Sequence, residues 1–338
     1  MELDDDNVRA SVGERLLAWR EVEVGGAVPA LTKQLTTRLR GAGARRSRYP
    51  SKLAHAVPAE PLPNSFAPAN RALTDYLNAQ VDQIVAGDIG LRRGRDPIHD
   101  TRVAIRRLRS TLRVFHRVLD KSAVGDLDSE LKWFAALLGD VRGCQVQQRR
   151  FGDVLDGMAE ELVLGPVRTR IRNDLHAIEL PARTRLTEAM DSERYLAIMA
   201  VLRRWRAAPP IDQDIAISAL RKRARRARHK ADRRLAEALE TGDDVMLHRA
   251  RKAAKRARYA AELCKPVDKN AKRTVKRYKN VQSLLGDHQD TVVACEALQR
   301  MAVAAGTTVG ENGFTYGMLY AREQQIARQC RRDARRLR

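Results

Sequence analysis

The 338-residue chain is poor in aromatic side chains, which make up 4% of it, and it has only four scattered cysteines. No two cysteines form a C-x-x-C pair or another metal-ligand spacing, so we expect small core thiols and no metal site. No run approaches the roughly 18 apolar residues of a membrane span, and the first residues lack a signal-peptide pattern. These absences predict no membrane partner and a reducing compartment, the cytoplasm.

Familiar catalytic motifs are missing as well. The chain contains no G-x-x-x-x-G-K-[ST] phosphate loop, no G-x-S-x-G nucleophile turn and no H-E-x-x-H zinc pair. Carboxylates for acid–base chemistry are scarce in its basic segments. We therefore expect no catalytic residues and no cofactor.

Positive charge, in contrast, is abundant. The chain has 64 Lys and Arg against 42 Asp and Glu, a formal net charge of +22, so an acidic partner is expected. Charge alone leaves nucleic acid, polyphosphate and an anionic membrane surface open, with a merely solvated basic surface as the alternative. The abundance of Ala, Leu and Arg favours helices.

Two segments arrange this charge in columns. Residues 99–109 read HDTRVAIRRLR, and residues 248–258 nearly repeat them as HRARKAAKRAR. On a helix, the first column falls within an arc of about 80° and comprises His99, Arg102, Arg106, Arg109 and Arg113. The apolar residues fall on other faces: Ala104, Ile105, Leu108, Leu112 and Phe115 in the first segment, and Ala253, Ala254, Ala257, Ala261 and Cys264 in the second. Asp96 and Pro97 predict the start of the first helix.

The two halves of the helical region repeat. His99 and His248 are 149 residues apart, and Leu137-Leu-Gly-Asp140 and Leu284-Leu-Gly-Asp287 are 147 apart. Lys132 and Lys279 share that second offset. Two motifs in the same order predict two related helical bundles around a pseudo-twofold axis. A break at Pro209-Pro210 divides the region into repeats at 69–208 and 209–338.

Nearly everything after Asn70 is predicted to be helical. Helices are expected near 69–87, 98–119, 125–138, 140–159, 166–178, 182–206, 214–240, 244–263, 267–285, 287–305 and 313–337. The helix near 214–240 is densely cationic, and we interpret most of that charge as a solvated face. Lys222 and Arg225 are candidates for lining the second histidine site.

Residues 1–57 differ from the rest. Trp19-Arg-Glu-Val-Glu-Val24 alternates as a strand does, and residues 29–39 predict a short helix. Four prolines at 58–68 indicate a linker.

The doubled histidine–arginine pattern, with Leu-Gly-Asp motifs, resembles the CHAD family, the conserved histidine α-helical domain, over residues 69–338. The resemblance implies a mainly α fold of two four-helix-bundle repeats, with basic residues lining a central groove that binds inorganic polyphosphate. It assigns polyphosphate binding to His99, Arg102, Arg106, Arg107, Arg109, Arg113, Lys132, His248, Arg251, Lys255, Arg256, Arg258 and Lys279. Association with polyphosphate granules is a further expectation, and oligomeric state is left open.

There are departures from the family. Where the family continues its first Leu-Gly motif as Arg-Asp-x-Asp, this chain has Arg142-Gly-Cys-Gln145, whereas the second copy keeps Asp290. Losing the first carboxylate is expected to make that half more positive. Arg249 also replaces the residue type of Asp100 after the second histidine.

Residues 1–57 resemble the C-terminal part of a CYTH domain, a β-tunnel that hydrolyses triphosphates with divalent metals. The predicted fold class is therefore mainly α with a small α/β fragment at the N-terminus. The Glu-x-Glu-x-Lys strand of that family is absent, so the tunnel is expected to be incomplete. Glu21 and Glu23 are candidates for remaining metal-side carboxylates.

Three functions are therefore weighed. Polyphosphate binding is favoured because arginine forks donate paired hydrogen bonds to phosphate oxygens, and because a histidine at a helix start adds to an anion site. Weak non-specific nucleic-acid binding is the second, although aromatics for base stacking are few. The third is a metal-dependent triphosphatase or polyphosphatase using Glu21 and Glu23. Competition between the two polymers separates the first two, and metal-dependent phosphate release tests the third.

Overall fold

The structure is a computed structural model, and it describes residues 2–12, 15–25, 29–49, 51–56, 67–211 and 214–336. Its contacts divide the chain into two units, Met1–Ser65 and Phe66–Arg338. The linker predicted at 58–68 lies outside the described residues except for its last two, and Pro68 already begins a helix. The predicted boundary between the repeats, at 208 and 209, stays a prediction.

The N-terminal unit is a hairpin with two helices. Strands β1 (Glu2–Val12) and β2 (Arg15–Gly25) pair antiparallel, with Val8 opposite Trp19. Helices α1 (Pro29–Gly41) and α2 (Lys52–Ala56) follow. The strand and the helix predicted here are both present.

The described part of the second unit consists of helices and the segments that connect them. It comprises α3 (Pro68–Arg92), α4 (Ile98–Phe115), α5 (Lys121–Val124), α6 (Leu127–Asp156), α7 (Val167–Asp191), α8 (Glu193–Ala207), α9 (Ile217–Thr241), α10 (Asp244–Cys264), α11 (Ala271–Gly306) and α12 (Phe314–Arg335). The mainly α fold class is confirmed. No described helix is long and apolar enough to cross a membrane.

Four helices of the first half have counterparts in the second. Helix α9 begins and ends 149 residues after α3, from 68 to 217 and from 92 to 241. Helices α4, α6 and α7 correspond in the same order to α10, α11 and α12. The two basic columns therefore lie on equivalent helices, α4 and α10.

Three predicted helix breaks are wrong. Helices α6 and α11 continue through Gly139 and Gly286. These glycines do not end a helix; they are the positions at which an arginine side chain closely approaches the helix backbone. Helix α7 continues through Pro181. The chain breaks instead at Ser192, whose side chain accepts a hydrogen bond from the backbone N–H of Tyr195 and so begins α8.

The apolar faces predicted for α4 and α10 are buried in the core. Ile105 and Phe115 pack with helices α3, α6 and α8, whereas Ala253 and Ala257 pack with α9 and α11. The small residues of α10 let its neighbours approach closely. Burying these faces leaves the charged faces of both helices for the surface and for each other. The four cysteines are buried and unbridged.

Candidate functional site

The site is built where α4 packs against α10. Arg106 on α4 donates a hydrogen bond from Nε to the hydroxyl of Tyr259 on α10, at 3.0 Å. The apolar stripe of α4 is buried in one core, which also takes in Cys264 of α10, and Ala253 and Ala257 of α10 are buried in another. With these faces buried, the contact brings the two cationic columns side by side. Two segments that are 149 residues apart in sequence thus form one surface.

Six side chains form what we call the central cation cluster: His99, Arg102, Arg106, Arg142, Arg251 and Lys255. Burial, followed by the charges of Arg251 and Arg106, lowers the pKa of Lys255 to about 7. Burial and then Arg106 and Arg142 lower the pKa of Arg102. Like charges this close are costly in the free protein, and an anion among them removes that cost.

Carboxylates do little to neutralise this cluster. Arg251 Nη2 lies 4.0 Å from Asp290, at the limit of an ion pair. Arg102 donates to the backbone carbonyl of Ala135 at 2.7 Å. Among the described residues, neither Arg106 nor Lys255 has a carboxylate oxygen within 4 Å. Their charge is therefore available to a ligand.

The glycine of each Leu-Gly-Asp motif supports an arginine of the cluster. A Cβ added at Gly139 would collide with the Arg102 guanidinium, and one added at Gly286 would lie 3.3 Å from Arg251 Nη2. The glycines thus allow both arginines to lie flat against the facing helices α6 and α11. This gives the repeated motif a physical purpose that its spacing alone did not reveal.

The two histidines are not equivalent in their helices. His99 is the second residue of α4, as predicted, but His248 is the fifth residue of α10. Relative to its histidine, α10 begins about one turn earlier than α4 does. The reason is that Asp243 caps α10, accepting a hydrogen bond from the backbone N–H of Met246 at 2.8 Å. The prediction that His248 lies at a free helix start is therefore wrong. Asp96 does not cap α4 either, since its carboxylate accepts from Gln145.

Both imidazoles are held towards the neutral form. Burial, then the charge of Arg142, lowers the pKa of His99. Burial, then Lys252, lowers the pKa of His248, whose Nδ1 is buried without a hydrogen-bond partner in the described structure. A bound phosphate would reverse this balance, so anion binding is expected to be coupled to proton uptake.

Four of the predicted site residues are already paired. Arg109 and Arg113 both donate to Asp128, at 3.0 and 2.7 Å. Arg107 and Arg258 lie 3.2 and 2.8 Å from the carboxylate of Glu262. Each carboxylate is shared by two arginines, so these four side chains are held by ion pairs but keep a net positive charge. The helical columns therefore supply fewer unpaired cations than the sequence pattern suggested.

The remaining four predicted residues, including His248, lie outside the cluster. Lys132 and Lys279 are exposed. Each shares the helix stripe that carries Gly139 or Gly286, since residues seven apart lie on one face. Arg256 contributes to a different cavity, together with Arg113.

Sequence reasoning did not assign Arg142 to the site, although it lies three residues after Gly139, on the stripe facing α4. The effect expected from the missing carboxylate is also visible. Gly143 corresponds to Asp290 at the 147-residue offset, and space is open around it. Asp290 raises the pKa of Arg251 and so opposes the effect of burial. Beside Arg102, Gly143 supplies no such carboxylate, and the pKa of Arg102 is raised only by the weaker influence of Asp140.

Lys222 and Arg225 were candidates for the second histidine site, and that prediction is wrong. They line a cavity with Ala261 and Thr274, beside the C-terminal part of α10. His248 is thirteen residues earlier in the same helix, a distance of about 20 Å along its axis.

In the N-terminal unit, the candidate metal carboxylates converge on a lysine. Lys52 Nζ lies 2.5 Å from Asp6, 3.7 Å from Glu21 and 3.5 Å from Glu23. Trp19 also donates to Glu21 at 2.7 Å. The ammonium occupies the position in which a cation would neutralise these groups.

Two sets of four equivalent helices, with basic columns meeting at their centre, define a two-bundle helical protein. The chain belongs to the CHAD family, since the model of the CHAD domain matches residues 75–299. A CHAD domain is not a known catalytic domain, and the match does not extend to the N-terminal unit.

Relatives and solved structures agree with this assignment. Two proteins of Mycobacterium tuberculosis, "Uncharacterized protein MT2285" and "Uncharacterized protein Rv2226", are each 33% identical over 334 residues. The match covers 93% of this chain but only 63% of their length. The fold is similar to that of "PptA from Streptomyces chartreusis", with a TM-score of 0.65, 21% identity and coverage of 79% of this chain and 98% of that one. The fold is also similar to that of a CHAD domain from the plant Ricinus communis, with a TM-score of 0.62, 24% identity and coverage of 81% of this chain and 94% of that one.

Proposed function

We propose that this protein binds inorganic polyphosphate through the central cation cluster. The observation that carries the proposal is the gathering of cations from both repeats, whose one ion pair among the described residues is Arg251 to Asp290 at 4.0 Å. Burial, followed by the charges of Arg251 and Arg106, lowers the pKa of Lys255 to about 7. Membership of the CHAD family supports it, because the resemblance to that family implies polyphosphate binding.

The chemistry of the cluster suits a phosphate chain. Each arginine fork donates two parallel hydrogen bonds to phosphate oxygens. Arg102 and Arg106 are one helical turn apart on α4, as are Arg251 and Lys255 on α10. A regular row of cations matches a regular row of anionic groups. Binding releases counterions from the polymer, so affinity is expected to fall steeply with salt.

The test is binding of long-chain polyphosphate at near-physiological salt, with excess duplex DNA as competitor. The double variant Arg106→Gln/Lys255→Gln is expected to weaken binding at least tenfold and to flatten the salt dependence. The control Arg204→Gln/Lys265→Gln removes the same charge from exposed positions and is expected to change affinity by less than threefold. Circular dichroism checks that both variants keep their helicity.

Two outcomes would contradict the proposal. Unchanged binding in the Arg106/Lys255 variant would remove the cluster from the site. Binding that is erased by DNA would indicate a general cationic surface and favour a nucleic-acid partner.

A further inference from the structure

A second basic cavity lies between helices α4, α9 and α10. Its volume is about 380 Å³, at the small end of the range for pockets that hold compact ligands. Its cationic lining comprises Arg113, Arg117, Arg223, Arg226, Lys230 and Arg256, together with His116. No carboxylate is among the residues that line it in the described structure. Most of the α9 charges here were interpreted as a solvated face.

The charges converge because of helix register. Arg223, Arg226 and Lys230 are three and four residues apart on α9, so they share one face. Arg113 faces them from α4, Arg117 from the turn just after α4, and Arg256 from α10. Three helices thus surround a single volume with cations. A half-open cavity with cations on three sides suits a compact anion, whereas the central cluster presents a row.

Most of these cations lack partners within the protein. Arg113 pairs with Asp128, but in the part of the chain described, no carboxylate oxygen lies within 4 Å of the other five. Arg223 Nε is buried without a hydrogen-bond partner. Burial, then Arg117 and Arg226, lowers the pKa of Arg223. Burial, then Arg113 and Arg234, lowers the pKa of Arg256.

The floor of the cavity is apolar and made of small residues. Val114, Ala227 and Ala253 lie between the charged side chains. Such a floor leaves room for the body of a ligand while the surrounding guanidinium groups contact its periphery. Bidentate contacts from several arginines favour phosphate groups over single carboxylates or chloride.

We propose that this cavity binds a compact ligand bearing several phosphate groups, such as a short oligophosphate. The site is separate from the central cation cluster and does not depend on polyphosphate binding there. Three of its six cations lie on α9, a helix that contributes no residue to that cluster.

The proposal is tested by calorimetric titration of the full chain with inorganic tripolyphosphate and, in a second arm, with inositol hexakisphosphate. Arg223→Gln/Arg226→Gln is expected to weaken binding of the preferred compound at least tenfold. The matched control is Lys222→Gln/Arg225→Gln, which removes the same charge from α9 but lines the neighbouring cavity. The control and the Arg106→Gln/Lys255→Gln variant are expected to stay within threefold of the wild type.

Thermal melting without ligand separates binding from folding. Removing like charges should leave the melting temperature of the Arg223/Arg226 variant unchanged or raise it. Should that variant not fold, Lys230→Glu at the exposed rim replaces it, with the same expected loss of affinity.

Three results would overturn the proposal: saturable binding of neither compound, equal losses in the variant and its α9 control, or loss only in the Arg106/Lys255 variant. The last would place the oligophosphate in the central cluster. Conversely, failure of long-chain polyphosphate to bind that cluster would leave the cavity proposal standing.

Discussion

The affinity of the central cluster for polyphosphate is expected to fall as pH rises from 7 to 9, because Lys255 loses its proton in the free protein over that range. Burial and the charges of Arg251, Arg106 and Arg102 lower its pKa to about 7, with Asp290 opposing them. A bound phosphate chain adds negative charge beside the ammonium and should return its pKa towards the ordinary lysine value of 10.5.

The sign and size follow from linkage. The bound state holds its proton more tightly than the free state, so the contribution of Lys255 is complete below pH 7. It is lost as pH rises towards the bound-state pKa. For a free pKa of about 7 and a bound pKa near that of ordinary lysine, affinity should drop roughly 50-fold between pH 7 and 9. That corresponds to about 2 kcal/mol.

Fluorescence anisotropy with end-labelled polyphosphate at constant ionic strength measures this dependence. Lys255→Arg is the control, because a guanidinium stays protonated throughout the range. That variant should bind with a nearly constant affinity from pH 7 to 9. A flat wild-type profile, or an equal fall in the arginine variant, would refute the assigned role of Lys255.

Two further predictions concern single carboxylates. Gly143→Asp restores a counterpart of Asp290 beside Arg102 and should weaken polyphosphate binding roughly tenfold, about 1.4 kcal/mol. The control Gly143→Ala should leave binding unchanged. Equal effects of the two substitutions in the same anisotropy assay would indicate a change in the helix backbone rather than an effect of charge. Glu323→Ala leaves the Arg150 guanidinium, now held at 2.8 Å from Nε to Oε1 and partly buried, without its partner. It should cost about 3 kcal/mol of unfolding free energy, and a loss below 1 kcal/mol in urea denaturation would contradict that pairing.

Much of the fold could be predicted from periodicity. The spacing of apolar residues in α4 and α10 indicated which faces are buried, because a helix must place one stripe in a core. The 147- and 149-residue offsets of two short motifs indicated two related bundles. In the structure, α3 and α9 are separated by the 149-residue offset. Helix ends were predicted less well, since Gly139 and Gly286 resemble helix stops in sequence.

The site was predicted at the level of its helices but not of every side chain. Spacing placed Arg106 and Arg109 on one column. In the structure Arg106 donates to the Tyr259 hydroxyl and has no carboxylate partner among the described residues, whereas Arg109 is held by Asp128. Arg142 was overlooked because nothing local distinguishes it from the many other arginines. The α9 cations were interpreted as solvated because Arg113 and Arg117, which face them across the cavity, are about 110 residues away in sequence.

The sequence by itself determined the helical class, the repeat, the faces of α4 and α10 and the excess of positive charge, because these depend on local periodicity and composition. Only the tertiary structure decided which cations stay unpaired. Pairing depends on where carboxylates such as Asp128 and Glu262 come to lie after helices distant in sequence pack together. Electrostatic interaction acts through space, so the same arginine spacing yields an ion pair with Asp128 at Arg113 and a crowded cluster at Lys255.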